Sequence, residues 1–247
     1  MTKFAARLAT AGFVVALGCA LAALAAGLGY RAELWHFRTG IAMLGYVFWV
    51  AGCTVIVTLV ALFIVLARHA GNRAIVLGAL GVVIASATAY VPYHLRQAAN
   101  GGPAIHDITT DLANPPAFVK AATLRGKDEH PAAYEGPKVG EQQKGAYPDI
   151  ATIVTTAPGP KAFEAATATL TDMGLEISAI DPVQGRIEAV ATSLLFGFRD
   201  DVVVRVVSAT DGARIDIRSK SRVGRNDFGM NAKRIRAFTA KVRAKLG

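Results

Sequence analysis

The sequence predicts a membrane-anchored protein with three transmembrane α-helices followed by one α+β domain. Hydrophobic residues make up 53% of the 247-residue chain, and its mean hydropathy is +0.37, which is typical of a protein with membrane segments. This excess lies in the first hundred residues. After Arg96, charged residues occur throughout and the apolar runs have the length of strands. We therefore divide the chain into a transmembrane region, residues 1–96, and a polar domain.

Three apolar runs are each long enough to cross a hydrocarbon core of about 30 Å as a helix. The predicted helices cover residues about 8–30, 40–67 and 74–95. Basic residues precede the first run and small residues lie near its end, as in a cleaved signal peptide, and Cys19 follows a loose lipoprotein-type sequence. The apolar core continues to Leu28, beyond the length of a signal core, so we favour a retained helix.

The distribution of basic residues gives a weak prediction of orientation. The segments on one side of the membrane contain Lys3, Arg7, Arg68 and Arg73, and those on the other contain Arg31, Arg38 and Arg96 with the acidic Glu33. The positive-inside rule then places the N-terminus in the cytoplasm. Three helices that start inside put the C-terminal domain outside the cytoplasm, which is the periplasm in a Gram-negative bacterium.

Small residues recur at every fourth position in two of the predicted helices. They are Gly18, Ala22 and Ala26 in the first, and Gly81, Ala85 and Ala89 in the third. Such stripes let helix backbones approach closely in lipid. They fit packing among the three helices, or docking of another membrane protein. No acidic or basic residue lies mid-span in the sequence, so nothing indicates an ion path or a proton relay.

The net charge of +9 indicates which classes of partner to expect. Basic residues that flank membrane helices are expected near anionic lipid, and they do not by themselves indicate nucleic acid. We expect membrane lipids as partners, other membrane protein subunits if the stripes form a docking face, and no nucleic acid. Both cysteines, Cys19 and Cys53, lie in predicted helices, so the polar domain needs no disulfide.

The polar domain is predicted to begin after a short connection. Residues 97–104 form a flexible tether, and residues 105–247 form the extracytoplasmic α+β domain. Within it, residues 124–146 are polar, rich in Gly, Pro, Lys and Glu, and without a period. We predict a long surface loop there.

The first motif of this domain, residues 105–118, is predicted to form turns. Asp107 and Asp111 would bond to nearby backbone. Together with His106 they could ligate a metal, but metal sites usually need three or four convergent ligands. Because the sequence has no second cluster of His or Cys, we predict neither a metal site nor another cofactor.

From Ile150 onward the sequence pattern is regular. It predicts a strand at 150–156, a helix from 158–160 to Gly174, strands at 175–181, 186–196, 201–207 and 213–219, and a helix at about 229–246. Four consecutive hairpin-linked strands must be largely antiparallel. The order strand, helix, four strands, helix is that of the TATA-box-binding-protein-like α+β fold, close to the helix-grip class. This analogy concerns the fold alone.

Alternation along the last strand predicts two different sheet faces. Ile215 and Ile217 point one way, whereas Arg214, Asp216 and Arg218 point the other. One face should be apolar and covered by the helices. The other should carry a ladder of Arg, Asp and Glu, which we interpret as ion pairs on a wet face or, alternatively, as a surface for a polar ligand or partner.

Four motifs of the polar domain occur together in order. They are HDITTD from His106, YPD from Tyr147, FGFRDD from Phe196 and RSKSRVGRNDFG from Arg218. With them, residues 105 to about 246 resemble the domain-of-unknown-function family 1499. The resemblance implies a bacterial or plastid setting and a single domain after the tether. With the predicted orientation, we expect a multi-pass protein of the bacterial inner (plasma) membrane.

The most densely charged stretch, residues 215–238, suggests a polar cluster with a binding or structural role. The candidate residues are His106, Asp107, Asp111, Asp216, Arg218, Ser219, Ser221, Arg222, Asp227 and Asn231. Arg218 and Arg222 are expected to pair with Asp216, Asp227, Asp107 or Asp111 and so to lock the terminal helix to the sheet. Asp227 should cap that helix, and Asn231 should bond to backbone. The side of Arg218 and Arg222 is the predicted contact surface.

No motif in the sequence indicates an enzyme. There is no Gly-x-Ser-x-Gly, no phosphate-binding loop and no zinc spacing, and the adjacent Asp200 and Asp201 fit a turn better than an acid–base pair. The resemblance carries over no catalytic residue, because that family has no assigned activity. We expect an accessory or interaction subunit of a membrane complex. The alternative is a periplasmic binding module that holds a lipid or a small apolar or anionic ligand between the sheet and the terminal helix.

Overall fold

Residues 2–69, 71–100 and 102–247 are described in the structure, a computed structural model. They form two compact units. The first contains Met1–Gln97 together with Leu194–Gly197, and the second contains Ala98–Ser193 and Phe198–Gly247. Part of the predicted tether is helical, because the third helix continues to Asn100. Gly101, in the middle of that tether, lies outside the described residues.

Three long helices form the first unit: α1 (Thr2–Arg31), α2 (Phe37–Ala67) and α3 (Asn72–Asn100). All three are long and apolar enough to cross a membrane. Small residues bring them together, although not the whole predicted stripe of α1. A Cβ at Gly12 would overlap Thr58 Oγ1 of α2, whereas one at Gly18 would meet nothing within 4 Å. In α3 the predicted stripe does pack inward, with Ala85 fully buried.

The second unit is an antiparallel sheet domain with helices. Its elements are β1 (Asp107–Thr109), α4 (Lys120–Leu124), α5 (Pro137–Ala146), β2 (Ile153–Thr155), α6 (Gly159–Asp172), β3 (Glu176–Asp181), β4 (Arg186–Thr192), β5 (Arg199–Ala209), β6 (Gly212–Ser221) and α7 (Met230–Leu246). The sheet order is β1-β6-β5-β4-β3. Strand β2 also pairs with β6, at Ala213–Ile215, whereas β1 pairs with its other end at Arg218–Lys220. Two short strands therefore share one edge of β6.

Two predictions about the start of this domain are corrected. The segment predicted as turns at 105–118 begins with β1, although Asp111 does accept from the nearby backbone of Ala113 and Asn114. The predicted loop 124–146 contains α5. The helix α5 is polar and begins at Pro137, and its stability depends on a distant partner. The buried Gln143 side chain donates from Nε2 to Thr109 O at 2.6 Å and accepts from Thr109 N at 3.0 Å, so it continues the hydrogen-bond ladder beyond β1. Neither β1 nor α5 shows a periodic pattern of apolar residues in its own sequence.

One face of the sheet is apolar and covered by α6 and α7, as the alternation predicts. Ile215 and Ile217 of β6 are fully buried beside Phe238 and Ile235 of α7 and Leu170 of α6. The helices are amphipathic, so their apolar stripes pack on this face. This packing forms the core of the domain.

The opposite face of the sheet is covered as well, which corrects the prediction of a wet face. We call residues 110–136 the covering segment. Its backbone carbonyls at Pro116, Ala132 and Ala133 accept hydrogen bonds from Arg218 and Lys220. Because the segment lies over the charged ladder, these two side chains are 2% and 0% exposed. The ladder is therefore a buried ionic network.

Candidate functional site

The register of the strands places the charged residues of this network opposite one another. In β6 the alternating residues Asp216, Arg218 and Lys220 lie on the covered face. Lys220 stands between Asp107 of β1 and Asp201 of β5. Because cross-strand neighbours on one face are about 5 Å apart, the sheet itself brings each cation to a carboxylate.

Asp107 is the centre of the first group of ions. Its carboxylate accepts two hydrogen bonds from Arg218, from Nε and Nη2, both at 2.8 Å, and lies 3.2 Å from Lys220 Nζ. The guanidinium of Arg218 also lies over the rings of Phe118 and Tyr134, at 4.8 and 5.3 Å from their centroids. This bidentate pair is almost fully withdrawn from solvent, and Nη1 and Nη2 of Arg218 also donate to the carbonyls of Pro116 and Ala132.

Glu135 links this group to two histidines. It lies 2.9 Å from Lys220 Nζ and 2.8 Å from His106 Nε2. Burial raises the pKa of the Glu135 carboxyl, but the hydrogen bond from Lys220 and the nearby histidines outweigh it, so the pKa is lowered. Burial lowers the pKa of His106, and Glu135 opposes that shift only in part. The ring of His130 stacks on that of His106, with centroids 4.0 Å apart.

Asp201 is the centre of a second group. It accepts from Arg222 Nη2 at 2.8 Å and from Arg125 Nε at 2.8 Å, and its side chain is 0% exposed. Glu129 lies 3.7 Å from Arg222 at the rim. Two arginines from outside the strands therefore converge on one buried carboxylate at the start of β5.

Arg205 is the centre of a third, partly open group. Its Nη2 donates to Asp111 Oδ2 and Asp216 Oδ2, both at 2.9 Å, and Arg205 and Asp111 are each 23% exposed. Asp216 also accepts from the hydroxyls of Thr110 and Thr152, at 3.1 and 2.6 Å. This group fastens the start of the covering segment to β5 and β6.

Glu188 of β4 holds the middle of the covering segment in the same way. Its carboxylate accepts from the backbone N–H groups of Val119, Lys120 and Ala121, at 3.0, 3.0 and 2.8 Å. Those are the free donors at the start of the short helix α4, which a carboxylate satisfies well. The side chain is 1% exposed, so its role is structural.

The helix-covered face carries a separate polar group between β6 and α7. Asn231 donates to His106 O and Ser221 Oγ, both at 3.0 Å, and accepts from Ser219 Oγ at 2.6 Å. Its amide oxygen also accepts from Arg234, which pairs with Asp200 at 2.7 Å. This group joins α7 to β6 and to the residue that precedes β1.

A comparison with protein families identifies the domain. A model described as "Protein of unknown function (DUF1499)" matches residues 107–242, which is more than half of the chain. The chain belongs to the DUF1499 family. No curated protein matches it. The DUF1499 match begins at Asp107, the first carboxylate of the network, and contains all of its other ions, whereas the three apolar helices precede it.

The DUF1499 domain brings the ten predicted site residues together in two sets rather than in one. Arg218 pairs with Asp107, one of the predicted partners, but Arg222 pairs with Asp201, which was assigned to a turn. Asp111 and Asp216 both bind Arg205. His106, Asp107, Asp111, Asp216, Arg218 and Arg222 belong to the network or its rim, and Ser219, Ser221, Asp227 and Asn231 belong to the α7 side.

Burial overturns the predicted contact surface. Arg218 and Arg222 are 2% and 3% exposed, so neither side chain is available to a partner. Sequence reasoning also missed several ions of the network, namely Lys220, Asp201, Arg125 and Glu135. The alternation from Asp216 to Arg222 could have placed Lys220 on the charged face. The partners from the covering segment carry no such signal, because that segment has no regular period.

The ions of the network are paired with groups of the domain itself. Among the described residues, no group of three or more His, Cys, Asp and Glu side chains could hold a metal ion. His106, Asp107 and Asp111 lie against Glu135, Arg218 and Arg205, respectively. Each carboxylate of the network is therefore committed to a cation or to backbone N–H groups.

Asp227 caps the terminal helix from outside it: the N-cap residue is Gly229, two residues later, and not Asp227 as the sequence predicts. Its carboxylate accepts from Gly229 N at 2.9 Å and from Asn231 N at 2.7 Å. We expect Asp227→Ala to lower the free energy of unfolding by about 1 kcal/mol, because two donors at the start of α7 lose their acceptor. Hydrogen exchange of the α7 amides measures this loss, and Arg225→Ala, at an exposed neighbouring residue, is the control. Equal exchange in both variants would contradict the capping role.

Proposed function

We propose that this member of the DUF1499 family is an accessory or interaction subunit of a membrane complex, not an enzyme, and that it acts through the surface of its α+β domain. The observation that carries this proposal is the commitment of the buried ions to one another. Asp107, Asp201 and Glu188 are at most 1% exposed and have no access to a substrate. Because the densest charge cluster is used for packing inside the domain, a partner would have to bind to the outer surface.

The free end of the charged sheet face is the surface that we propose for the partner. Val154 of β2, Arg214 of β6 and Val207 of β5 lie side by side in register. Val154 is 66% exposed and Val207 is 48% exposed, and Arg214 is exposed as well. Two apolar side chains that flank a cation suit a protein partner with apolar and acidic side chains.

The proposed setting is the bacterial inner (plasma) membrane, with the N-terminus in the cytoplasm and the domain in the periplasm. The three apolar helices support membrane insertion, and the weak bias of basic residues supports this orientation. Membrane lipids are further proposed partners. A groove of about 380 Å³ between α1 and α2, lined by Leu8, Trp49 and Val57 among others, suits an acyl chain. Nucleic acid is not a proposed partner.

The order β2-β6-β5-β4-β3, with α6 and α7 on one face, supports a TATA-box-binding-protein-like or helix-grip-like fold. A binding module of the latter kind would need a cavity between the sheet and α7. Phe238, Ile217 and Leu170 pack together there with no exposed surface. This packing favours the interaction subunit over a binding module for a lipid or a small ligand.

Native electrophoresis of the full chain, extracted in a mild detergent, tests the proposal. We expect the wild-type protein to migrate well above its monomer mass, and the double variant Val207→Lys, Arg214→Glu to migrate mostly as a monomer, because interface cores exclude unpaired charge. Lys241→Glu, on the exposed face of α7, is the matched control and should leave the large species intact. A monomeric wild-type protein, or a large species that the double variant does not change, would count against this function.

A further inference from the structure

The second half of the covering segment, residues 126–136, is held to the sheet without a helix or strand of its own. We call it the strap. Its backbone is fixed by His130 N, which donates to Arg222 O at 2.7 Å, and by Ala133 O, which accepts from Lys220 Nζ at 2.9 Å. His130 Nε2 lies 2.9 Å from Gly224 O. Further polar contacts join Ala132 O to Arg218 and Glu135 to Lys220. Because side-chain contacts rather than strand pairing hold the strap, it can open locally without unfolding the sheet.

Two stacked histidines lie where the strap meets the sheet. The rings of His106 and His130 are 4.0 Å apart with an angle of 21° between their planes. His106 is 7% exposed. In the neutral form such rings pack favourably, whereas two protonated rings at this separation repel each other.

The surroundings offer little to offset an added charge. His106 faces Glu135 on the strap, Asp107 on β1 and Lys220 on β6. Both carboxylates already neutralise cations, since Asp107 binds Arg218 and Lys220, and Glu135 binds Lys220.

The charges beside His130 balance in the same way. They are Arg125, whose Nη1 donates to His130 O, and Arg222, and these two pair with Asp201 and Glu129. The acidic residues around the stacked rings are therefore already paired with cations, and a proton on His106 would leave an excess of positive charge at the junction.

We propose that the stacked pair of His106 and His130 is an acid-released latch, which holds the strap on the sheet at neutral pH and frees it when the buried His106 ring takes up a proton. Release would bring the buried ions Lys220, Asp107 and Arg218 into contact with water. The latch is independent of the proposed interaction surface, because it depends on the opposite end of the charged face.

The direction of the pH dependence follows from burial. Burial lowers the pKa of His106 in the closed domain, so the open form binds its proton more readily. The contribution of this group to closure is therefore fully present above its ordinary pKa of about 6.5, and it is lost as the pH falls from there toward the lowered value. Acid favours the open strap.

Hydrogen exchange of the full chain in detergent, corrected for the intrinsic pH dependence of exchange, tests the latch. Between pH 7.5 and pH 5, we expect the protection of the His130 amide to fall severalfold in the wild-type protein, because acid favours the open strap. The amides of Val202–Val204 in β5 should keep their protection. In His106→Gln, whose side chain cannot take up a proton, the fall should be less than about twofold.

A second variant keeps the test decisive if His106→Gln does not fold. His130→Gln changes a ring at the rim, keeps the reporter amide and removes the stack, so it should also suppress the acid effect. Unchanged protection of the strap in the wild-type protein at pH 5 would overturn the proposal. So would an equal loss of protection in the wild-type protein and in both variants.

Discussion

Replacing Asp107 by alanine is expected to lower the free energy of unfolding of the α+β domain by about 3–5 kcal/mol, the cost of leaving buried charges without their partner. Arg218 and Lys220 both bind this carboxylate, and both are almost fully buried. Arg218 would lose its carboxylate partner in a poorly solvating interior, whereas Lys220 would still have Glu135 at 2.9 Å. Because both tryptophans lie in the helical unit, hydrogen exchange of the β5 and β6 amides in the full chain is the suitable measurement.

The matched control is Asp149→Ala. Asp149 pairs with Arg236 at 2.6 Å, but the two side chains are 53% and 46% exposed. Water solvates both charges when the pair is broken, so the loss should be below about 1 kcal/mol. If Asp107→Ala cost no more than this control, the buried pair would not be needed to hold the covering segment on the sheet.

Replacing Asp201 by alanine is expected to have an effect of similar size, about 3–5 kcal/mol, because Arg125 and Arg222 would both lose their buried carboxylate. Arg125 comes from the covering segment and Arg222 from the end of β6, so the loss should first appear as faster exchange at that end of the sheet. The same hydrogen-exchange measurement reports it.

The neighbouring residue supplies the control for this prediction. Asp200 precedes Asp201 in the strand and points to the other face, where it pairs with Arg234 at 2.7 Å. That pair is partly exposed, so Asp200→Ala should cost about 1 kcal/mol or less. Equal losses in the two variants would support the turn assignment made from the sequence and contradict the buried role of Asp201.

The sequence predicts well those elements in which apolar residues recur at a regular spacing. The two-residue alternation around Ile215 and the helical spacing of Ile235, Phe238 and Val242 are local signals, because each element shows its buried face in its own residues. The three apolar helices are predictable for the same reason, since composition alone identifies them.

Parts of the fold that depend on distant partners could not be predicted. The short strand β1 forms because it pairs with the edge of β6. Helix α5 is stabilised because Gln143 makes hydrogen bonds with the backbone of Thr109 in β1. Alternation located the charged ladder correctly. The burial of the ladder was not predicted, because the covering segment has no sequence pattern that places it on the sheet. The partner of Arg222 was missed because Asp201 stands at the start of a strand, where a turn was equally plausible.

The position of β1 at one edge of β6 has a consequence for biosynthesis. Asp107 and Arg218 are 111 residues apart in the chain, and they belong to the first and last strands to leave the ribosome. Contacts of such long range form slowly, because the intervening chain must be ordered first. The segment of β1 therefore remains without its strand partner until β6 has been synthesised, and in that interval its backbone is open to chaperones and to aggregation.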